Sequence, residues 1–528
     1  MGIDISKPIY ILGTGLSHNG STCLMKDGEI IVSIEKERLT GIKNDGLNDN
    51  LTVKYCLDAA NITESDLSLI VEKDTLNLKH DSNDFLQKKD RFSFDNVPRI
   101  KISHHMAHAY CAIGLAPFEN DFGVIVMDGR GASLNNCMDI TEKSLTKKFS
   151  RMNIENFLDY YEKESYYIYK NNCLIPIVRD FSEYYHKKNI ILETNDLKHS
   201  LAQTYGAFSQ FIFGKENCEW KTMNLSKKPI PFTINSKIFN CKDGFVEYDH
   251  DNTMKTIYNN TCYAGNNFYY SRIISNWIQR ELNRATKYLF DFYYNQYPMS
   301  NVTFSGGLAL NTELSDYLRR NTNFSNIYVP KYPNDAGLSI GCCYYGWLNV
   351  LKKEKVPCKN ILLHGKSYND NDVLQVLNKN KNAISFEKCN NATKYVAEQL
   401  KLRKQIVIFN FASEFGPNSY GNRVILANPK FNEHKIYVDN NYEKIAINKY
   451  FLENKKIGIR NISINTIVEI LQILYKEEQV EFVFRKTFKN QYGIMIESVE
   501  EAMREFINSS FDELIINNKY IVRRKHYV

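Results

Sequence analysis

Four times in this chain a short run of strand-forming residues ends in a turn built from glycine with Ser, Asn or Asp. Ile9 to Leu12 runs into Gly13, Gly15 and Gly20; Phe122 to Met127 into Asp128 and Gly129; Asn301 to Phe304 into Ser305, Gly306 and Gly307; Ile327 to Val329 into Asn334, Asp335 and Gly337. Runs of this length read as buried strands, and a glycine turn at the end lets backbone N–H groups approach an anion. One such loop predicts only a turn. Four of them, with helical patterns following, predict an α/β protein whose strand ends converge on one cleft.

Composition limits what that cleft serves. The 528 residues are 43% hydrophobic and 24% charged, which suits two or three ordinary globular domains. A formal net charge of +7 is mild for this length. It permits a phosphorylated or otherwise anionic substrate, and no basic stripe with interleaved aromatics marks long nucleic acid as a partner. The 12 cysteines are scattered apart from the adjacent Cys342 and Cys343, with no CxxC spacing, and read as reduced thiols. The N-terminus lacks the basic and apolar regions of a signal peptide, and no stretch approaches the roughly 20 apolar residues of a membrane span, so a cytoplasmic location without membrane contact is expected.

His104, His105 and His108 fall within about one helical turn. Positions i and i+4 share a helix face about 5 to 6 Å apart at Cβ, so His104 and His108 are placed to grip one metal ion. Asp128, on its glycine turn, is the candidate third ligand. Two histidines and a carboxylate with open positions suit catalytic iron(II), zinc or manganese better than a closed structural site. The spacing alone equally allows a surface pair or a hydrogen-bonded core pair. Asp335 stands at a similar strand-to-helix turn, where an N-cap is its other reading.

The remaining pattern organises the chain. Cys23 to Lys26 and Ile30 to Ile34 flank Asp27 and Gly28 as a hairpin, with Glu35, Lys36, Glu37 and Arg38 at its end. Residues 48 to 70 are predicted helical and 98 to 103 extended. Residues 150 to 200, tyrosine-rich, charged and irregular, are predicted as an insertion or acceptor-facing subdomain. Helices are predicted at His199 to Phe213, Arg272 to Tyr297, Leu308 to Arg319 and after Gly337 as far as Trp347. Lys221 faces either a phosphate or solvent. Lys352 to Lys366 is the best linker, dividing residues 1–355 from a second α/β unit over 366–528. That unit has helices at Asp370 to Leu377, Ala392 to Leu402, Ile467 to Glu477 and Val499 to Ile507, and a strand at Gln405 to Phe411.

Ordered along the chain, these motifs resemble the NodU and CmcH type of carbamoyltransferases. The opening strand, loop and hairpin are similar to Ile11 to Arg38, the HHxxH motif to His104–His108, and the following aspartate-glycine turn to Asp128 and Gly129. The GG-x-A-L-N segment is matched by Gly306 to Asn311 and the D-x-G turn by Asp335 and Gly337. The resemblance implies a duplicated N-terminal domain of the actin, heat-shock ATPase and sugar-kinase (ASKHA) type, close to TsaD, and a smaller C-terminal α/β domain like YrdC. It implies ATP-dependent O-carbamoyl transfer, in natural-product biosynthesis, from carbamoyl phosphate through carbamoyl-adenylate to a small-molecule hydroxyl. Carried over by motif, the metal ligands are His104, His108, Asp128 and Asp335, with iron(II) as the implied ion and room for Mg. His105 points elsewhere. Ser305, Gly306, Gly307, Asn311 and Arg423 hold the nucleotide, and His18, Lys36 and Arg38 serve its carbamoyl and phosphate.

The C-terminal half departs from the pattern. Glu414 to Val424 reads EFGPNSYGNRV, so Asn418 stands where relatives carry an arginine, and the arginine-rich segment expected downstream is not recognisable between Pro429 and Ile464. Asparagine has neither the charge nor the fork that binds phosphate bidentately. Three readings follow: a carbamoyltransferase whose donor site is rebuilt from Arg423, Lys430, Arg485, Lys486 and Lys489; a transferase using another activated acyl donor made elsewhere; or a non-catalytic partner of an intact paralogue. A homodimer is compatible with all three.

Overall fold

The computed structural model describes residues 7–46, 49–73, 92, 94, 96–119, 121–147, 160–183, 200–260, 267–357, 364–429, 443–446 and 462–525. The first sheet contains β1 (Tyr10–Gly15), β2 (Ser21–Lys26), β3 (Glu29–Glu35), β4 (Leu67–Lys73) and β5 (Arg99–Ile102), in the order β3-β2-β1-β4-β5. β1, β2 and β3 pair antiparallel, whereas β1, β4 and β5 run parallel. The second sheet repeats this plan with β6 (Phe122–Met127), β7 (Tyr160–Lys170) and β8 (Cys173–Glu183), then, beyond the hairpin β9 (Phe239–Lys242) and β10 (Phe245–Tyr248), β11 (Asn301–Ser305) and β12 (Asn326–Tyr328). Here too the first three strands are antiparallel and the last two add in parallel beside the first. Two copies of one five-stranded topology make the actin-like duplicated α/β fold that the sequence resemblance implied.

The two halves are joined by a helix crossing. Helix His104–Leu115 lies against β6 and β11, and helix Leu338–Tyr344, continued by a π-helical turn to Val350, lies against β1 and β4. A Cβ on Gly341 would stand 1.8 Å from the Ala107 carbonyl oxygen, so only glycine permits this approach. Ile11, Leu69, Val71, Val124 and Tyr344 close a single core around the crossing. A second core forms between the far face of the second sheet and the long helix Asn267–Gln296, around Trp277, Phe290 and Phe304.

Residues 160–183 correct the expected insertion at 150–200. They are β7 and β8, the inner and edge strands of the second sheet, and β7 is buried over Tyr160–Tyr169. Their charges are paired inside: Lys163 lies 2.8 Å from Asp180, and Arg179 is ion-paired to Glu162 and Asp139. Residues 151–159 and 184–199 lie outside the described residues. The stretch 48–70 is also shorter in helix than expected, since the helix Asn50–Ala60 ends in a left-handed Asn61 and β4 begins at Leu67.

Beyond Ser367 the chain builds a mixed seven-stranded sheet. Beside this sheet, β13 (His364–Ser367) and β16 (Ala412–Glu414) form a separate pair; the seven-stranded sheet excludes both. Its strands, in sheet order, are β14 (Ile384–Lys388), β21 (Tyr520–Arg524), β20 (Glu513–Ile516), β15 (Ile406–Phe409), β17 (Arg423–Ala427), β19 (Phe482–Thr487) and β18 (Glu443–Ala446). Helices Ala392–Lys401 and Ile462–Glu478 cover one face, and Asp370–Lys379 and Val499–Ile507 the other. No described helix is long and apolar enough to cross a membrane.

Candidate active site

The loops after β5, β6 and β11 and the loop before helix Leu338–Tyr344 are bonded to one another, and the cleft lies on them. Ser103 ends the extended segment after β5 and the helix starts at His104, which puts His104 and His108 one turn apart with ring centroids 4.7 Å from each other. Their Nε2 atoms are 3.0 Å apart. His104 Nε2 is also 3.0 Å from Asp128 Oδ2, and each Nε2 is 3.5 Å from Asp335 Oδ1. Asp128 sits on the turn after β6, where its other oxygen accepts the Gly307 N–H at 2.8 Å. The Gly306 N–H donates to the Pro333 carbonyl at 2.8 Å, which fixes the segment leading to Asp335. Gly306 has φ +94°, and a Cβ there would meet the Met127 carbonyl oxygen at 2.1 Å, so this turn requires glycine.

One ligand atom from each of His104, His108, Asp128 and Asp335 falls within 4.8 Å of the others, and all four residues are buried. Two buried carboxylates this close repel unless a cation lies between them. In the protein alone, that cation is a proton. Burial pulls the His104 imidazole down, but Asp335 and the hydrogen bond to Asp128 outweigh burial and hold its pKa at about 9. Burial opposes charge on Asp128 and Asp335 as well, yet the histidines keep both carboxyls below their usual range. Asp335 is thus a partner of the histidines, and the N-cap reading does not hold. The arrangement offers two imidazole nitrogens and two carboxylates, a donor set that fits a divalent ion with open positions.

His105 points away, as expected. Its Nδ1 is 2.7 Å from Ser165 Oγ, and burial with the nearby Arg179 charge drives its pKa well below the ordinary value. Its backbone N–H and that of Ala132 both donate to Glu162 Oε2, so a carboxylate from β7 ties the start of the histidine helix to the loop after Asp128. The neighbouring trio Cys137, Asp139 and Glu162 also has metal-like spacing, but Arg179 already neutralises its carboxylates.

His104, Asp128 and Asp335 line a cleft of ≈ 840 Å³, with His108 fully buried behind them. Gly307 and Asn311, both named by the motif, line it together with Leu308, with Asn311 capping helix Thr312–Asn321 through Leu314 N–H and held by Gln279. Ser305 is buried behind the turn, with its hydroxyl 3.4 Å from the Pro333 carbonyl. His18 also lines the cleft, with Nδ1 3.2 Å from Asp335 Oδ2, and that hydrogen bond raises its pKa.

Three basic residues expected at the site are not in the cleft. Lys36 is spent on Asp45 and the Gly46 carbonyl, both at 2.8 Å. Arg38 is buried, paired with Glu35 at 2.7 Å and donating to the carbonyls of Glu414 and Gly416 at 2.6 and 2.5 Å. It ties the N-terminal half to the loop after β16. Arg423 lies fully buried in the C-terminal sheet, its guanidinium over the Phe409 ring at 3.6 Å and donating to the carbonyls of Asn410 and Ile496. Of the other basic residues expected at a rebuilt donor site, Lys430 is outside the described residues, and Arg485 lies beside Tyr420.

The cleft contains residues that the motifs did not single out. Glu219, Trp220 and Met223 come from helix Glu219–Ser226, Tyr205 from helix Leu201–Phe213, and Lys73 from the end of β4. Lys221, read as a phosphate or solvent residue, stands 5.5 Å from the Trp220 ring centroid. Residues 48 to 70 read as helical in the sequence, which hides the strand that ends in Lys73.

Residues 86–344 match the family described as carbamoyltransferase N-terminus, a span that contains all four clustered residues. The nodulation protein NolNO of Sinorhizobium fredii is 19% identical, over 96% of this chain and 79% of its own length. Nodulation protein U of Rhizobium fredii is 30% identical over 139 residues, 25% of this chain and 22% of its own. An uncharacterized protein of Methanocaldococcus jannaschii is 21% identical over 98% of this chain and 100% of its own. Among solved structures, the ADPNP-bound activator of the 2-hydroxyisocaproyl-CoA dehydratase from Clostridium difficile aligns at a TM-score of 0.37 and 13% identity, over 64% of this chain and 93% of that one. Over residues 86–344, just under half of its length, the chain carries a carbamoyltransferase N-terminal domain, which supports an enzyme of carbamoyl transfer.

Proposed function

We propose that the chain transfers a carbamoyl group from carbamoyl-adenylate, made from carbamoyl phosphate and ATP, to a hydroxyl of a small-molecule acceptor. The observation that carries this reading is that the cluster of His104, His108, Asp128 and Asp335 borders, through all but His108, the cleft lined by the Gly307–Asn311 turn. The four clustered residues would hold a divalent ion, iron(II) being the one the resemblance implies. Such an ion, when bound, supplies Lewis acidity toward a carbonyl or phosphoryl oxygen.

The chain's own groups do the rest. Carbamoyl carbons are poor electrophiles because nitrogen donates into the carbonyl, so the donor needs a good leaving group and the acceptor a fixed approach. Tyr205, Trp220 and Met223 give the cleft an apolar wall for a nucleoside base, and Asn311, locked by Gln279, presents its amide at the helix N-terminus. His18, beside Asp335, stands where it can take the hydroxyl proton.

The test is incubation of the purified protein with iron(II), ATP, carbamoyl phosphate and a metabolite extract. The expected outcome is an ATP-dependent product about 43 Da heavier than a hydroxylated metabolite. His108→Ala should lower its formation by about 100-fold or more; full turnover in that variant would remove the metal assignment.

A second reading is favoured by the loop after β16. The Glu414 carboxylate accepts the N–H groups of Tyr420, Gly421 and Asn422, each at 2.9 Å, and Arg423 is engaged by backbone carbonyls. On this reading the adenylate, or another activated acyl group, is made by a separate protein and only the transfer step belongs here. Product formation from added carbamoyl-adenylate, with none from carbamoyl phosphate and ATP, would select it.

A further inference from the structure

We propose that Asn19, Asn44 and Asn334 form the acceptor subsite, and that they select an uncharged vicinal polyol over an amine-bearing one. This deepens, and rests on, the transfer reading above. The three residues come from separate loops and meet around His18. Asn19 follows it in the sequence, and Asn334 precedes Asp335, whose Oδ2 lies 3.2 Å from His18 Nδ1. Asn44 belongs to the loop that accepts the Gly20 N–H through the Asp45 carbonyl at 2.9 Å, and Lys36 clamps the same loop through Asp45 and the Gly46 carbonyl. All three asparagines line the cleft, as His18 does.

Their side-chain amides are not spent on the fold. Asn19 Oδ1 is shielded from solvent and accepts no hydrogen bond among the described residues, which costs free energy unless a ligand engages the amide. Asn334 precedes a 3-10 turn without capping it through its side chain. Asn44 meets Glu37 by its backbone N–H, at 2.9 Å, rather than by its amide.

Each amide offers one acceptor oxygen and two N–H donors. That set complements hydroxyls, which donate and accept at once, and it carries no charge to hold an ammonium. The His18 side chain is 75% exposed with Nδ1 on Asp335, so Nε2 is left for the hydroxyl that reacts, and its neighbours on the acceptor fall to the amides. The charges of the cleft agree. Beyond Asp128 and Asp335, which a divalent ion would balance, the only carboxylate among the described lining residues is Glu219, on the helix that carries Trp220 and Met223. An ammonium bound among the three asparagines would lose its water without gaining an anion.

The test reads binding to the whole chain at pH 7 by saturation-transfer NMR. The neutral probes are the methyl glycosides of glucose, galactose and mannose, and the cationic ones are glucosamine, galactosamine and mannosamine. At least one neutral probe is expected to bind about fivefold or more tightly than its amino counterpart. Asn44 has φ +56°, which aspartate also tolerates, so Asn44→Asp keeps the loop and is expected to reverse that order. Amino sugars that bind the wild type as tightly as the neutral probes, an unchanged order in Asn44→Asp, or binding of no probe at all would each overturn the proposal while leaving the transfer reading in place. Absence of any carbamoylated product from the extract assay would instead remove the transfer reading, and the acceptor role of these residues with it.

Discussion

His104 is a buried imidazole held between two carboxylates, and its protonation couples the cluster to pH. Its pKa in the metal-free fold is about 9, above the ordinary 6.5, so the protonated side chain stabilises the fold fully below 6.5 and that contribution is lost as pH rises through 9. A metal ion must displace this proton. Apparent affinity for a divalent ion should therefore rise about tenfold per pH unit from pH 7 to 9 and then level off, with one proton released per ion bound. Calorimetry in buffers of different ionisation enthalpy measures both quantities, and a flat profile would show that His104 is not a ligand. The i, i+4 spacing made the pair visible in the sequence. Nothing in that spacing showed that Asp335, over two hundred residues away, would complete it.

At the scale of elements, the histidine helix is held by backbone fit. Ala107 lies between His104 and His108 and its carbonyl meets Gly341, so Gly341→Ala would force the two helices apart. Overpacking of this kind costs about 1–3 kcal/mol. The variant should show that loss in thermal unfolding together with weaker metal binding, because the same helix carries both ligands. β6 was legible from its uninterrupted apolar run FGVIVM. β7, its neighbour in the same sheet, was not. Its sequence YYEKESYYIYK looks like solvated chain, and only the pairing of Lys163 with Asp180 and of Glu162 with Arg179 explains how those charges are buried.

Across the whole molecule, Arg38 links the actin-like half to β16 and the loop after it. The sequence motif pointed to a role at the donor, and the structure places it between Glu35 and the carbonyls of Glu414 and Gly416. Arg38→Ala leaves the buried Glu35 carboxylate without its partner, a change that costs about 3–5 kcal/mol. Hydrogen exchange should quicken at residues 412–416, while affinity for a divalent ion stays as in wild type because Arg38 is outside the cleft. Loss of metal binding in that variant would return Arg38 to the site. Tyr55 adds a second tie, its hydroxyl accepting the Lys366 N–H at 2.5 Å.

The strand-to-glycine junctions, the histidine pair and the Gly306–Gly307 turn were determined locally, since each depends on residues a few positions apart and on backbone geometry that only certain side chains permit. The meeting of Asp128 and Asp335 with the histidines was decided by the tertiary structure alone, as was the removal of Lys36, Arg38 and Arg423 to other work. A charged side chain reads the same in sequence whether it faces a ligand or a buried carbonyl. Which of the two it meets depends on elements far apart in the chain, and those come together only when the two sheets close on the crossed helices.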